Sequence, residues 1–137
     1  MVRRSRAREV ALQLLFQHDF NAHVDRRAIE GFVRQRVPEP ALRTFCLALY
    51  DGTLAHLEEI DRAVGEAAEN WRLARMAAVD RNVLRLGTYE LRFMPETPPE
   101  VVINEAIELA RRFSTADSPA FVNGILDRLY RGRAPSP

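Results

Sequence analysis

An all-helical bundle is the fold class that this sequence predicts, and three observations predict it. Apolar residues recur at three- and four-residue spacing along most of the chain. No stretch alternates apolar and polar residues as a half-buried strand does. Short connections punctuated by proline suit helices that turn back on one another. The 137 residues, 47% of them hydrophobic, suffice to bury one sizeable core without metal or disulfide. The chain reads as a single domain over 1–137, with a basic arm at 1–5 and a flexible tail at 131–137.

The first helix is expected from about Arg6 to Phe20, with Ser5 as its N-cap and Ala7, Val10, Ala11, Leu14 and Leu15 on the inner side. A second spans about Asp25 to Arg36, with Asp25 as cap and Ile29, Phe32 and Val33 inward, before Val37-Pro38-Glu39-Pro40 stops it. The third, from Pro40 or Ala41 to about Ala68, carries Leu42, Phe45, Cys46, Leu49, Leu54, Leu57, Ile60 and Val64. Its length exceeds the usual globular helix, so a bend near Gly52 or Gly65, or a span across two subdomains, is expected. A short turn and helix cover Asn70 to Ala77, and a further helix runs from Val79 to Phe93. Another, from Glu100 to Phe113, buries Val102, Ala106, Leu109, Ala110 and Phe113, with Glu108 and Arg112 paired on its outer face. The last begins at Asp117-Ser118-Pro119, a capping side chain before a proline at the first helical position. Seven helices in a compact bundle result.

Composition excludes several kinds of function. His18, His23 and His56 are far apart, without HExxH or CxxC spacing, so neither a zinc nor an iron site is expected. Neither GxxxxGK[ST] nor GxGxxG is present, and no cofactor is expected. Cys46 is the only cysteine, which forbids an internal disulfide and fits a reducing compartment. It lies on an apolar stripe, as a buried small hydrophobe does. No segment approaches the ~20 apolar residues of a membrane span, and a cytoplasmic, non-enzymatic protein is expected.

Two segments stand apart. Arg3, Arg4, Arg6 and Arg8 crowd the start of the first helix, where positive charge opposes the helix dipole. Exposed backbone N–H groups and guanidinium groups there form an anion site; the alternative is a solubilising basic tail. The segment from Phe113 to Gly124 combines Ser114, Thr115, Asp117, Ser118 and Asn123 with Phe113 and Phe121. Helix capping and ring packing account for much of it, while hydroxyls, an amide and aromatic rings also suit unstacked RNA bases.

Three stretches together resemble the NusB family: residues 6–16 (RAREVALQLLF), residues 79–91 (VDRNVLRLGTYEL), and residues 102–113 (VINEAIELARRF) followed by Asp117-Ser118 and residues 121–127 (FVNGILD). The resemblance covers nearly the whole chain. It implies two three-helix subdomains with one extra helix, and binding of single-stranded boxA RNA in ribosomal RNA leaders. The implied partner is the small-subunit ribosomal protein that doubles as Nus factor E, within the antitermination complex of RNA polymerase. On that likeness Arg3, Arg4, Arg6 and Arg8 contact RNA, and Asp117, Ser118, Phe121 and Asn123 form the other side of its groove. Phe16 stands where a tyrosine often sits, so no hydroxyl is offered there and stacking remains. Asp80, Arg81 and Arg85 line the protein-partner face, with an internal salt bridge as the alternative for Arg85. The same module opens some ribosomal RNA cytosine methyltransferases, whose cofactor domain is not expected in a chain ending at Pro137. A helical protein–protein module or homodimer without RNA affinity is the competing expectation.

Overall fold

The computed structural model of the protein describes residues 2–69 and 71–132, with side chains from residue 4 onward. Among them are seven α-helices and one 3-10 turn, with no strand. The helices are α1 Val2–Phe20, α2 Arg26–Arg36, α3 Pro40–Ala55, α4 Leu57–Ala67, α5 Ala78–Phe93, α6 Pro99–Phe113 and α7 Ser118–Gly132, and the 3-10 turn Leu73–Arg75 follows α4. The all-helical class predicted from periodicity is the class observed. Two compact units divide the chain between Ala55 and His56, with α1 to α3 in the first and α4 to α7 in the second.

In the first unit α1 packs against α3, and Ala7, Val10, Ala11, Leu14 and Leu15 are all buried as their spacing predicts. Burying a leucine or valine contributes roughly 1.5–3 kcal/mol, so this face outweighs any local propensity term. On α2, Ile29 and Val33 are buried, while Phe32 is half-buried beneath the Arg36 guanidinium at 3.7 Å from its ring centroid. Arg26 joins α2 to α3 through two hydrogen bonds to Asp51, at 2.7 and 2.8 Å. Arg43 closes the α2–α3 turn by donating to the Val37 and Pro38 carbonyls, each at 2.7 Å.

The second unit is built on α5, which packs against α4, α6 and α7. Gly87 allows the closest approach: a Cβ there would stand 3.0 Å from Leu126 Cδ1 and 3.6 Å from Ala106 Cβ. Arg85 ties α5 to α4 with a two-point bridge to Asp61 at 2.8 and 2.9 Å and also reaches Asn82 Oδ1 at 3.2 Å.

Several local expectations differ from what is found, and Phe113, expected among the buried residues of α6, is 39% exposed. Ser5 is not an N-cap, because α1 starts at Val2; the arginines upstream are good helix formers and nothing stops the helix. Asp25 holds the N-cap position of α2 but makes no side-chain capping bond, its carbonyl accepting from Ala28 and Ile29 instead. The long third helix is interrupted at His56 rather than at Gly52 or Gly65, and its two halves belong to the two units, as the expected span across two subdomains has it; the His56 imidazole stacks 4.1 Å from the Phe93 ring and its backbone departs from helical geometry. The helix expected after Asn70 is a single 3-10 turn, with Asn70 itself outside the described residues. Of the expected tail, Arg131 and Gly132 close α7, and residues 133–137 lie outside the described residues.

Candidate nucleic-acid interface

The start of α7 is built from hydroxyls. Ser114 donates to Asp80 Oδ1 at 2.6 Å, Ser118 donates to Ser114 at 2.9 Å, and Thr115 meets Ser118 through its amide at 3.3 Å and its hydroxyl at 3.0 Å. One hydroxyl hydrogen per link gives the chain a single direction that ends on a carboxylate. It fixes the α6–α7 elbow to α5. Ser118 is 1% exposed, so its role there is to hold the elbow.

On this elbow lies a cleft of about 220 Å³ lined by Trp71, Arg75, Met76, Ala77, Asp80, Thr115, Asp117, Ser118 and Phe121. Phe121 is half-buried, and Trp71 meets it edge to face, with centroids 5.9 Å apart and planes at 77°. Trp71 remains 55% exposed, unusual for so large an apolar ring. The Asp117 carboxylate is exposed and has no hydrogen-bond or ion-pair partner among the described residues. Asn123 is exposed on α7 but does not line the cleft. Of the residues expected from sequence, Asp80, Asp117, Ser118 and Phe121 are therefore brought together. Trp71 and Arg75 were missed. The available signal was Trp71 itself, the sole tryptophan of the chain, set between polar neighbours where no helix stripe claims it.

The chain reaches Trp71 through a left-handed residue. Glu69 has φ 56° just beyond the end of α4, a position that glycine usually takes, and the Trp71 amide then donates to the Ala68 carbonyl at 3.2 Å. Arg81 donates to the carbonyls of Leu73 at 3.2 Å and Met76 at 3.4 Å, fastening the 3-10 segment to α5.

The first unit holds the basic candidates. Arg4 is exposed, its guanidinium 4.3 Å above the Phe45 ring, and Arg6 is exposed with Glu9 at 2.7 Å. Arg8 is only 4% exposed, with its guanidinium 5.3 Å from the Phe45 centroid, so it packs rather than reaching outward. Arg3 lies on α1, its side chain outside the described residues. Phe16 is half-buried and meets Phe20 edge to face at 5.1 Å; Phe20, absent from the sequence-based expectations, is 75% exposed.

The residues expected on a partner face are engaged inside the second unit. Asp80 accepts from Ser114, Arg81 grips the 3-10 carbonyls, and Arg85 makes an internal bridge to Asp61, the alternative expected for it. A wider groove of about 580 Å³ along α4 and α7 carries Arg62, Arg92 and Arg128 against Glu59 and Glu66, without an aromatic ring. Mixed charge and no stacking platform make it a poorer seat for a base. No group of three histidine, cysteine or acidic side chains suited to a metal occurs among the described residues.

The sequence profile described as NusB family matches residues 5–131. The transcription antitermination protein NusB of Desulfatibacillum aliphaticivorans is 43% identical over 130 residues, covering 95% of this chain and 91% of that protein. Its counterpart in Geobacter sulfurreducens is 46% identical over 123 residues, covering 89% of each. Among solved structures, T. maritima NusB superposes with a TM-score of 0.85 at 39% identity, covering 96% of this chain and 93% of that one. A structure of antitermination factors NusB and NusE in complex with double-stranded RNA gives a TM-score of 0.86 at 26% identity, over 96% of this chain and 98% of that one. The chain belongs to the NusB family.

Proposed function

We propose that the protein is an RNA-binding transcription antitermination factor that takes boxA RNA of ribosomal RNA leaders together with NusE, the ribosomal protein acting as Nus factor E, in the antitermination complex of RNA polymerase. It works in the cytoplasm and catalyses nothing. Relatives named as antitermination proteins and a structural neighbour solved with NusE and RNA support the reading. The single observation that carries it is the elbow cleft, where two aromatic rings and an unpartnered carboxylate converge at the start of α7. Rings exposed in this way suit bases that are already unstacked, which favours a single strand over a duplex. Arg4 and Arg6, exposed on α1, supply phosphate contacts, with Arg3 beside them in sequence; Arg8 holds Phe45 beneath.

Fluorescence anisotropy with labelled boxA, scrambled and duplex oligoribonucleotides, with and without NusE, tests this. BoxA should bind well above the other two, and Phe121→Ala should weaken it roughly fivefold or more, as loss of a stacked base does. Equal weak binding to all three, untouched by Phe121→Ala, would mean a protein–protein module or homodimer instead.

A further inference from the structure

We infer that the outer ridge of α2 is a seat for RNA phosphates flanking the boxA segment, an inference that rests on the RNA-binding reading above. The 11 residues of α2 carry four arginines against the one acid Glu30, while the whole chain is only +1. Their roles separate. Arg26 is taken up by Asp51 and Glu30, and Arg36 lies over the Phe32 ring with one donor on the Phe32 carbonyl at 3.4 Å. Arg27 and Arg34 are exposed and have no hydrogen bond, ion pair or ring contact among the described residues.

Helical geometry aligns these two. Ile29 and Val33 face the core, so Arg27, Gly31 and Arg34, at four- and three-residue steps, run along the opposite side. The two arginines stand about 10 Å apart along the axis, two turns of helix. Gly31 between them is a second observation. Glycine weakens a helix interior, and packing does not ask for it here: a Cβ would meet only the Arg34 guanidinium, at an ordinary 3.8 Å. The missing side chain leaves room for a chain to lie against the helix between two guanidinium groups. The helix itself gains nothing from Arg27, whose charge in the first turn opposes the dipole, whereas Arg34 in the last turn suits it.

Charge and shape together select the occupant. The ridge has no ring free to stack and no apolar side chain larger than Ala28, so neither a base nor an apolar protein anchor finds a seat. A phosphodiester backbone, with one negative charge per nucleotide, does. The ridge also continues the basic end of α1. Arg4 lies over Phe45 in the second turn of α3, and Arg43 ties the start of α3 to the end of α2, so Arg4 and Arg34 share one end of the first unit.

The full-length protein is titrated, by anisotropy, with a labelled boxA core and with the same core extended by unstructured nucleotides on either side. The extended RNA should bind roughly tenfold tighter, as added hydrogen bonds to charged groups do. Arg27→Ala with Arg34→Ala should erase that gain, leave the core's affinity as it was, and lower the salt slope for the extended RNA by about 1.4, two phosphates at ~0.7 each. Arg27→Lys with Arg34→Lys should keep the gain, since an ammonium group also neutralises a phosphate. Gly31→Glu should abolish it by setting a carboxylate on the ridge. An extension that adds nothing, or a double alanine change that spares the gain or weakens core and extended RNA alike, would overturn the seat while leaving RNA binding in place. Affinity for NusE that falls with the double change, while the gain for extended RNA stays, would assign the ridge to a protein and overturn it equally. Failure of the boxA core itself to bind removes the RNA-binding reading.

Discussion

Arg4 and Arg8, one turn apart on α1, both hold a guanidinium over Phe45, yet one is exposed and the other is sealed. Burial, not residue type, sets what an arginine can do. The same contrast separates two ion pairs. Arg85 and Asp61 have side chains 11% and 28% exposed, whereas Arg26 and Asp51 are each 47% exposed. Removing one partner of a sheltered pair strands the other, so Arg85→Ala should cost about 2–4 kcal/mol in urea unfolding. Arg26→Ala, in water, should cost at most about 1 kcal/mol. Cys46 gives a pH signature. Burial first, and Asp51 second, push its thiol from 9.0 up to about 12, and Tyr50 moves upward for the same two causes. The folded state therefore keeps protons that the unfolded chain releases. Stability present below pH 9 should fall as pH rises from 9 toward 12, and thermal melts of Cys46→Ala should fall less steeply over that window.

At the scale of elements, much of the architecture was legible because helix faces repeat. Val10 with Leu14, and Val102 with Ala106 and Leu109, mark their buried sides by spacing alone. That the long third helix would not run unbroken was legible from its length, but the place was not: the chain at His56 has neither proline nor glycine, and the ring that His56 stacks on, Phe93, is far away in sequence. The cleft was half legible for a similar reason. Asp117, Ser118 and Phe121 sit in one run, while Trp71 and Arg75 come from a 3-10 segment that no periodicity announces. That segment leaves α4 through Glu69 in the left-handed region, at a cost of about 1 kcal/mol for a residue with a Cβ. Glu69→Gly should raise stability by roughly 0.5–1 kcal/mol in chemical denaturation without altering the helical circular dichroism.

Over the whole molecule the formal charge is only +1, with a pI near 8.0. So small a net charge does little to draw a polyanion from a distance, and attraction to RNA rests on where the arginines stand. Salt should expose this. The logarithm of the binding constant should fall with the logarithm of salt by about 0.7 for each phosphate held. Replacing Arg4 and Arg6 together with alanine should flatten that slope by about 0.7 for every phosphate no longer neutralised. An unchanged slope in titrations at several salt concentrations would take those two residues out of the interface.

Arg81 never enters the cleft, yet its grip on the Leu73 and Met76 carbonyls keeps one side of that recess standing when nothing is inside. Without it, an arriving nucleotide would have to assemble its own berth, giving up part of its binding energy to order a loose strap. On the proposed function, recognition at this spot is prepared in advance by a side chain that the visitor never meets.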